Sequence, residues 1–230
     1  MNIQGFQKLT LLDYPETLAC TIFTGGCNFR CPYCHNAALV VGCSPEPEFT
    51  PEDIFTFLKK RKNVLKGVCI SGGEPMLQPD LDAFIYEIKN IGYKVKLDTN
   101  GSFPDRLIRL AEQGLLDYVA MDIKNSMESY AKASGVKAGI LEKVQESVAF
   151  LMENKVAYEF RTTVVDGLHH PSDFVSIGRW IEGAPKYYLQ NFVDSGDLIE
   201  KGMKGVPKET MESYMEILKP YIPSVKLRGL

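Results

Sequence analysis

The amino-acid sequence predicts an α/β fold: an incomplete, TIM-like (β/α)6 barrel, with a parallel sheet inside and helices outside. Apolar, β-branched runs of strand length alternate with helical patterns, six of each. This alternation is typical of βαβ units that build a parallel sheet. Right-handed crossovers then give either a doubly wound sheet or a barrel. Six units are too few for the closed eight-unit barrel, so we favour an incomplete barrel whose open side admits a large substrate.

The elements follow one another in order along the chain. The predicted strands span residues 18–24, 67–71, 93–99, 118–123, 156–164 and 187–192. The predicted helices span residues 51–62, 80–91, 104–113, 140–154, 171–181 and 207–218. Thr50 and Asp53 have the spacing of a capping box at the start of the first helix. Gly92 and Gly114 are suited to end the second and third helices.

Length and composition indicate one ordinary globular domain over residues 1–230. Hydrophobic residues make up 45% of the chain and charged residues 24%, as in an average soluble protein. The net charge of −3 gives no field that attracts nucleic acid. Residues 1–8 lack the pattern of a signal peptide, and no apolar run is long enough to span a membrane. We therefore expect a cytoplasmic protein without nucleic-acid or membrane partners.

The six cysteines are unevenly placed. Cys27, Cys31 and Cys34 fall within eight positions, and the other three are scattered at Cys20, Cys43 and Cys69. A chain of this length without an export signal does not need disulfides. Cys20 and Cys69 lie in apolar strands and are expected to be buried, while Cys43 has no assigned role. The pattern predicts one metal site formed by the three clustered thiols.

The three clustered cysteines lie in a loop that directly follows the first predicted strand, in the segment GGCNFRCPYCHN of residues 25–36. Electron-transfer iron–sulfur clusters ordinarily have four cysteine ligands. With three, one iron keeps an open position that a substrate can occupy. Zinc bound by the three thiols and His35 is the alternative, although structural zinc sites usually pair two separated knuckles. The adjacent His169 and His170 lack a third ligand and are expected to form a loop before a helix.

Polar motifs end the later strands as well. The second strand ends in SGGEP at residues 71–75, the third in DTNG at 98–101 and the fourth in MDIK at 121–124, while Arg161 and Gln190 end the fifth and sixth. Paired glycines let the backbone approach a ligand, and the carboxylate of Glu74 suits an ammonium group. Asp98 and Asp122 are hard oxygen donors that suit a cation. In parallel α/β barrels this strand-end face carries the active site.

The spacing Cys-x-x-x-Cys-x-aromatic-Cys, with Tyr33 as the aromatic residue, resembles the signature of the radical S-adenosylmethionine (SAM) superfamily. The resemblance implies one [4Fe–4S] cluster, held by Cys27, Cys31 and Cys34, whose open iron is chelated by the amino and carboxylate groups of SAM. It also implies that one electron cleaves SAM to methionine and a 5′-deoxyadenosyl radical, which then abstracts a hydrogen atom.

The same resemblance implies the residues that contact the cofactors. Those implied for SAM are Tyr33, His35, Asn36, Gly72, Gly73, Glu74, Asp98, Asn100, Asp122, Lys124, Arg161 and Gln190. Gly72, Gly73 and Glu74 are implied for its amino group. Those implied for a monovalent cation are Asp98, Thr99, Asp122 and the carbonyl group of Met121.

Residues 9–15 (LTLLDYP), together with the cluster loop and the DTNG and MDIK motifs, resemble the glycyl-radical-enzyme activases. The similarity is greatest to the activating proteins of anaerobic ribonucleoside-triphosphate reductase, which implies that reductase as the partner whose glycine loses a hydrogen atom. Only Cys43 lies where several activases carry additional clusters, so an external electron donor such as flavodoxin is implied. The alternatives are a radical SAM enzyme of the carboxydeazaguanine synthase type, which acts on a small molecule, and a zinc-binding module without enzymatic activity.

Overall fold

The computed structural model describes residues 1–136, 139–194 and 196–229, and its centre is one eight-stranded sheet. The strands are β1 (Ile3–Thr10), β2 (Ala19–Thr24), β3 (Gly67–Gly72), β4 (Lys94–Thr99), β5 (Tyr118–Asp122), β6 (Ala157–Val164), β7 (Tyr187–Asn191) and β8 (Lys226–Arg228). Their order in the sheet is the order in the chain, β1 to β8. β1 is antiparallel to β2, and all later neighbours are parallel. β1 and β8 are the two edges, so the barrel is not closed.

Helices cover one side of this sheet. They are α1 (Ala37–Val40), α2 (Pro51–Arg61), α3 (Leu81–Ile91), α4 (Pro104–Glu112), α5 (Tyr130–Ser134), α6 (Ile140–Met152), α7 (Pro171–Trp180) and α8 (Lys208–Leu218), with a 3-10 turn at Pro75–Leu77. The capping box at α2 is confirmed, because Thr50 Oγ1 accepts from Asp53 N at 3.2 Å and Asp53 Oδ2 accepts from Thr50 N at 2.9 Å. Gly92 ends α3 in the left-handed conformation, as predicted.

All six predicted strands and all six predicted helices are present, which confirms the α/β class and the incomplete parallel barrel. The strand count was wrong, because β1 and β8 add one strand at each edge. β1 is half-exposed and polar, with a burial pattern that does not alternate, and β8 has only three residues. Neither has the apolar run that a central strand requires. Among the residues described, no helix is long and apolar enough to cross a lipid bilayer.

The two faces of the sheet differ in chemistry because successive side chains point to opposite sides. The face toward the helices is apolar and fully buried, with Ile22, Ile70, Leu97, Phe160 and Leu189 in the main hydrophobic core. The concave face instead carries polar and charged residues, among them Ser71, Lys96, Asp98, Asp122, Glu159, Arg161 and Gln190. A complete TIM barrel fills this space with branched apolar side chains. Here the concave face is built for a polar ligand.

Candidate active site

A pocket opens at the carboxyl ends of the parallel strands, between the cysteine loop and the ends of β3 to β7. The predicted site residues that line it are Cys27, Cys31, Tyr33, Cys34, His35, Asn36, Gly72, Gly73, Asp98, Thr99, Asn100, Asp122, Lys124, Arg161 and Gln190. The residues that the sequence did not predict are Phe23, Phe29, Val40, Ser71 and Thr163. Three of these could have been found from the alternation of side chains along a strand, since Phe23, Ser71 and Thr163 lie on the same concave face as predicted site residues.

Two predicted site residues do not line the pocket. The Glu74 side chain is fully buried, and its carboxylate accepts hydrogen bonds from Met76 N at 3.1 Å, Thr99 Oγ1 at 3.0 Å and Asn100 N at 2.7 Å. It thereby ties the loop after β3 to the loop after β4, and burial raises its pKa to about 7. Met121 is also fully buried. The contact between Glu74 and the SAM amino group stays a prediction, but the hydrogen bonds give this carboxylate a structural task.

The three clustered thiols face the same pocket, and burial disfavours the ionised forms of Cys27 and Cys31. Burial raises the pKa of Cys27 to about 11 and that of Cys31 to about 12. A metal therefore has to displace protons from these thiols when it binds. Cys20 and Cys69 are fully buried in their strands, as predicted, and Cys43 lies outside the pocket lining.

This donor set fits an iron–sulfur cluster with three protein ligands. No fourth cysteine lines the pocket. Within the described ranges, no group of three or more histidine, cysteine, aspartate or glutamate side chains is arranged to hold a single metal ion. The Tyr33 hydroxyl is buried and has no hydrogen-bond partner in that part of the chain. An orphaned polar atom in the pocket wall is typical of a site that receives a further group.

Backbone contacts hold the cysteine loop against the loop after β3. Glu74 N donates to Gly26 O at 2.8 Å, and Gly73 N donates to Thr24 O at 2.9 Å. The chains approach so closely that a Cβ atom at Gly73 would lie 1.9 Å from Gly26 O. The close packing of the two loops therefore requires glycine at position 73, whether or not a ligand approaches this backbone.

Later segments support the cysteine loop from its other side. Arg30 N donates to Ser134 O at 3.0 Å, and Glu200 N donates to Pro32 O at 2.9 Å. The Asp197 carboxylate accepts from Ala38 N at 2.9 Å, which fixes the start of α1. The loop position therefore depends on segments from both halves of the chain.

The strand-end side of the pocket is a network of ion pairs. Arg161 bridges the two carboxylates, with its Nη1 atom 3.3 Å from Asp98 Oδ2 and its Nε atom 3.0 Å from Asp122 Oδ1. Lys96 contacts Asp98, and Lys124 Nζ lies 3.0 Å from Asp122 Oδ2. Burial opposes ionisation of both carboxyls, but Arg161 and the lysines outweigh it and hold the pKa of Asp98 and of Asp122 below the usual value.

His169 lies in the predicted loop before α7, where it positions Lys124. Its Nδ1 atom accepts from Val165 N at 3.1 Å, so Nε2 carries the proton and donates to Lys124 O at 3.0 Å. Burial lowers the pKa of His169, which favours this neutral form. The structure therefore gives His169 a positioning role that the sequence did not predict.

Comparison with known proteins agrees with this architecture. Residues 21–181 match the family model described as the Radical SAM superfamily. The chain is 32% identical over 234 residues to a protein of Methanocaldococcus jannaschii that carries the provisional name glycyl-radical enzyme activating enzyme, a match that covers 99% of this chain and 96% of that protein. A 7-carboxy-7-deazaguanine synthase of Methanopyrus kandleri is 34% identical over 118 residues, covering 43% of this chain and 46% of the synthase.

A solved structure supports the fold independently. A domain of the pyruvate-formate lyase-activating enzyme from Bacteroides vulgatus superposes with a TM-score of 0.58 at 16% sequence identity, and the match covers 71% of this chain and 99% of that domain. At this identity the likeness concerns the fold, which is the same incomplete parallel barrel.

Proposed function

Because this chain belongs to the radical SAM superfamily, whose members use a [4Fe–4S] cluster and SAM, we propose that Cys27, Cys31 and Cys34 hold the cluster and that the pocket beside them binds SAM. The single observation that carries this proposal is the convergence of three thiols and the strand-end motifs on one pocket. When bound and reduced, the cluster supplies the electron that cleaves SAM to methionine and a 5′-deoxyadenosyl radical.

The residues of the chain bind and orient SAM and exclude water. Lys124 and Arg161 present positive charge to its carboxylate, and the backbone at Gly72 and Gly73 lets the amino group approach closely. Phe23, Phe29 and Val40 contribute apolar wall to the same pocket. An apolar wall protects a reactive radical because it keeps water and side reactions away.

The chain is a homologue of glycyl-radical enzyme activating enzymes, and we propose that its substrate is a backbone glycine of a glycyl-radical enzyme. Anaerobic ribonucleoside-triphosphate reductase is the proposed partner, on the resemblance of residues 9–15 and of the strand-end motifs. The three remaining cysteines are dispersed, which supports an external electron donor such as flavodoxin. The proposed location is the cytoplasm, and the single sheet supports a single domain.

A small-molecule substrate is the less favoured alternative. The similarity to the deazaguanine synthase covers less than half of either chain, whereas that to the activating enzyme covers nearly all of both. The similarity to the activating enzyme therefore extends over far more of the chain than the similarity to the synthase does.

The decisive experiment is anaerobic reconstitution with iron and sulfide, followed by reduction and addition of SAM. We expect release of 5′-deoxyadenosine and, with the partner reductase present, a glycyl-radical doublet in the EPR spectrum. Protein that binds zinc without sulfide, or that cleaves no SAM, would contradict the radical SAM site. Steady turnover of a purine-like small molecule without any protein partner would contradict the activase proposal alone.

A further inference from the structure

The pocket already contains positive charges where the resemblance implies a monovalent cation. Lys96 pairs with the Asp98 carboxylate, and Lys124 pairs with that of Asp122. Arg161 contacts both carboxylates. All four carboxylate oxygens have a donor from the chain, since Asp98 Oδ2 also accepts from Ser71 Oγ at 3.0 Å. The oxygens that would coordinate a metal cation are therefore already engaged.

The charge balance also disfavours an additional cation. Three protein cations face two carboxylates in this network. The nearby Glu74 carboxylate is turned away from the pocket lining, with its oxygens satisfied by Met76, Thr99 and Asn100. A further cation placed among these groups would be repelled by Arg161 and the two lysines, whose charges already balance the two carboxylates. The four residues implied for the cation thus do not fit one in this chain.

Lys96 is the unusual member of this network. Its side chain is only 1% exposed, and lysines are almost never fully buried unless they are paired. It lies two residues before Asp98 on β4, so both side chains point to the concave face. It does not line the pocket, but its partner Asp98 does.

We propose that the Lys96 ammonium replaces the monovalent cation, so that SAM binding in this enzyme does not depend on potassium or sodium. Lys96 lies outside the pocket lining and neutralises the charge of Asp98. Arg161 and Lys124 can then attract the SAM carboxylate with their positive charges. Lys96 is in this sense a positioning residue. The inference rests on the proposed function, because SAM is the ligand whose binding it concerns.

The test is calorimetric titration of SAM into anaerobically reconstituted protein, in potassium buffer and in tetramethylammonium buffer of equal ionic strength. For the wild-type protein we expect the two Kd values to agree within about twofold. A wild-type Kd that weakens by about tenfold or more without potassium would overturn the inference and leave the proposed function intact. Absence of SAM binding in both buffers would overturn the proposed function, and the inference with it.

Variants at Lys96 separate charge from structure. In Lys96→Met, Asp98 loses its buried partner and becomes able to bind a cation, so we expect the Kd for SAM to be about tenfold weaker without potassium than with it. Lys96→Arg keeps the charge and should restore independence from potassium. Lys94→Met is the matched control, since Lys94 is exposed on the same strand, and it should behave as the wild-type protein.

A folded Lys96→Met protein, verified by circular dichroism, whose SAM affinity is the same in both buffers would contradict the replacement. If Lys96→Met does not fold, the wild-type comparison and the Lys96→Arg variant still decide the question.

Discussion

The two sides of the pocket are built in different ways. On the loop side, Cys27 and Cys31 are thiols that burial keeps protonated, and the backbone of neighbouring segments holds them in place. On the strand-end side, Asp98, Asp122 and Arg161 are ionised, and each charge has a partner within the chain. The thiols of the loop side thus become charged only when a metal group binds and displaces their protons. The charges of the strand-end side are already paired and positioned without a ligand. Preorganised charges need no rearrangement when a charged ligand binds.

The largest expected effect is loss of the loop-side thiols. Cys27→Ala, Cys31→Ala and Cys34→Ala should each abolish cluster assembly and SAM cleavage, because a cluster with two thiolate ligands is not held. Cys43→Ala is the control, since this thiol lies outside the pocket lining, and it should retain activity. The measurements are iron and sulfide content and the yield of 5′-deoxyadenosine. Full activity in any of the three pocket variants would refute the ligand assignment.

The next largest effect is expected at the centre of the strand-end side. Arg161→Met leaves both carboxylates without their shared partner. Arg161 and Asp98 are only 17% and 14% exposed, and breaking a largely buried ion pair costs up to about 4 kcal/mol of unfolding free energy. Arg109→Met is the matched control, because the Arg109 side chain is half-exposed in its pair with Asp82 and such pairs contribute at most about 1 kcal/mol. Urea unfolding measures both. Equal destabilisation of the two variants would show that the network is not a special feature of the pocket.

A smaller effect concerns pH and the carboxyl that ties the two strand-end loops together. Burial raises the pKa of Glu74 from 4.5 to about 7. The folded protein therefore holds this proton more tightly than the unfolded chain does. The resulting stabilisation, roughly 3 kcal/mol, is complete below pH 4.5 and is lost as the pH rises to about 7.

The variant Glu74→Gln has no such titration, so its unfolding free energy should change less between pH 5 and about 7.5 than that of the wild-type protein. Urea unfolding across this range provides the measurement. Parallel pH curves for the two proteins would show that the buried carboxyl does not titrate in this window.

The smallest effect is expected at the outer support of the loop side. Asp197→Ala removes the acceptor for Ala38 N, so amide exchange at α1 should accelerate, by less than about tenfold because one exposed hydrogen bond contributes about 1 kcal/mol or less. Asp194→Ala is the control, because the Asp194 carboxylate accepts only from the nearby Gly196 N among the described contacts. Equal exchange rates in the two variants would show that the Asp197 carboxylate does not stabilise α1.

Much of this architecture was predictable because its patterns are local. The alternation of apolar strands and capped helices identified all six parallel units, and the short cysteine spacing identified the three thiols that face the pocket. The carboxyl ends of parallel strands meet by geometry, so the motifs at Gly72, Asp98 and Asp122 were expected at one pocket, where they do lie.

The features that the sequence did not reveal depend on long-range contacts. Lys96 interrupts an apolar strand and is typical of an exposed position, yet it is buried because it pairs with Asp98, which Arg161 contacts as well. The sequence shows Glu74 as a strand-end carboxylate, but it does not reveal the hydrogen bonds that this carboxylate accepts from Thr99 and Asn100 at the end of β4. His169 is ordinary in sequence, and only the fold brings its ring to the Lys124 carbonyl. The contacts of Glu74 with Asn100, of His169 with Lys124 and of Arg161 with Asp98 join segments that are distant along the chain, so no spacing rule gives them.

The sequential order of the sheet bears on how the protein is made. Each strand after β1 pairs with the strand that precedes it in the chain. During synthesis on the ribosome, every new strand therefore finds its neighbour already emerged, and none has to be inserted between two that are paired. The three thiols and Gly73 belong to the first third of the chain, whereas Ser134 and Glu200, which hold the cysteine loop from its other side, are translated much later. The cysteine loop of a nascent chain therefore gains its outer support only after most of the chain has been translated.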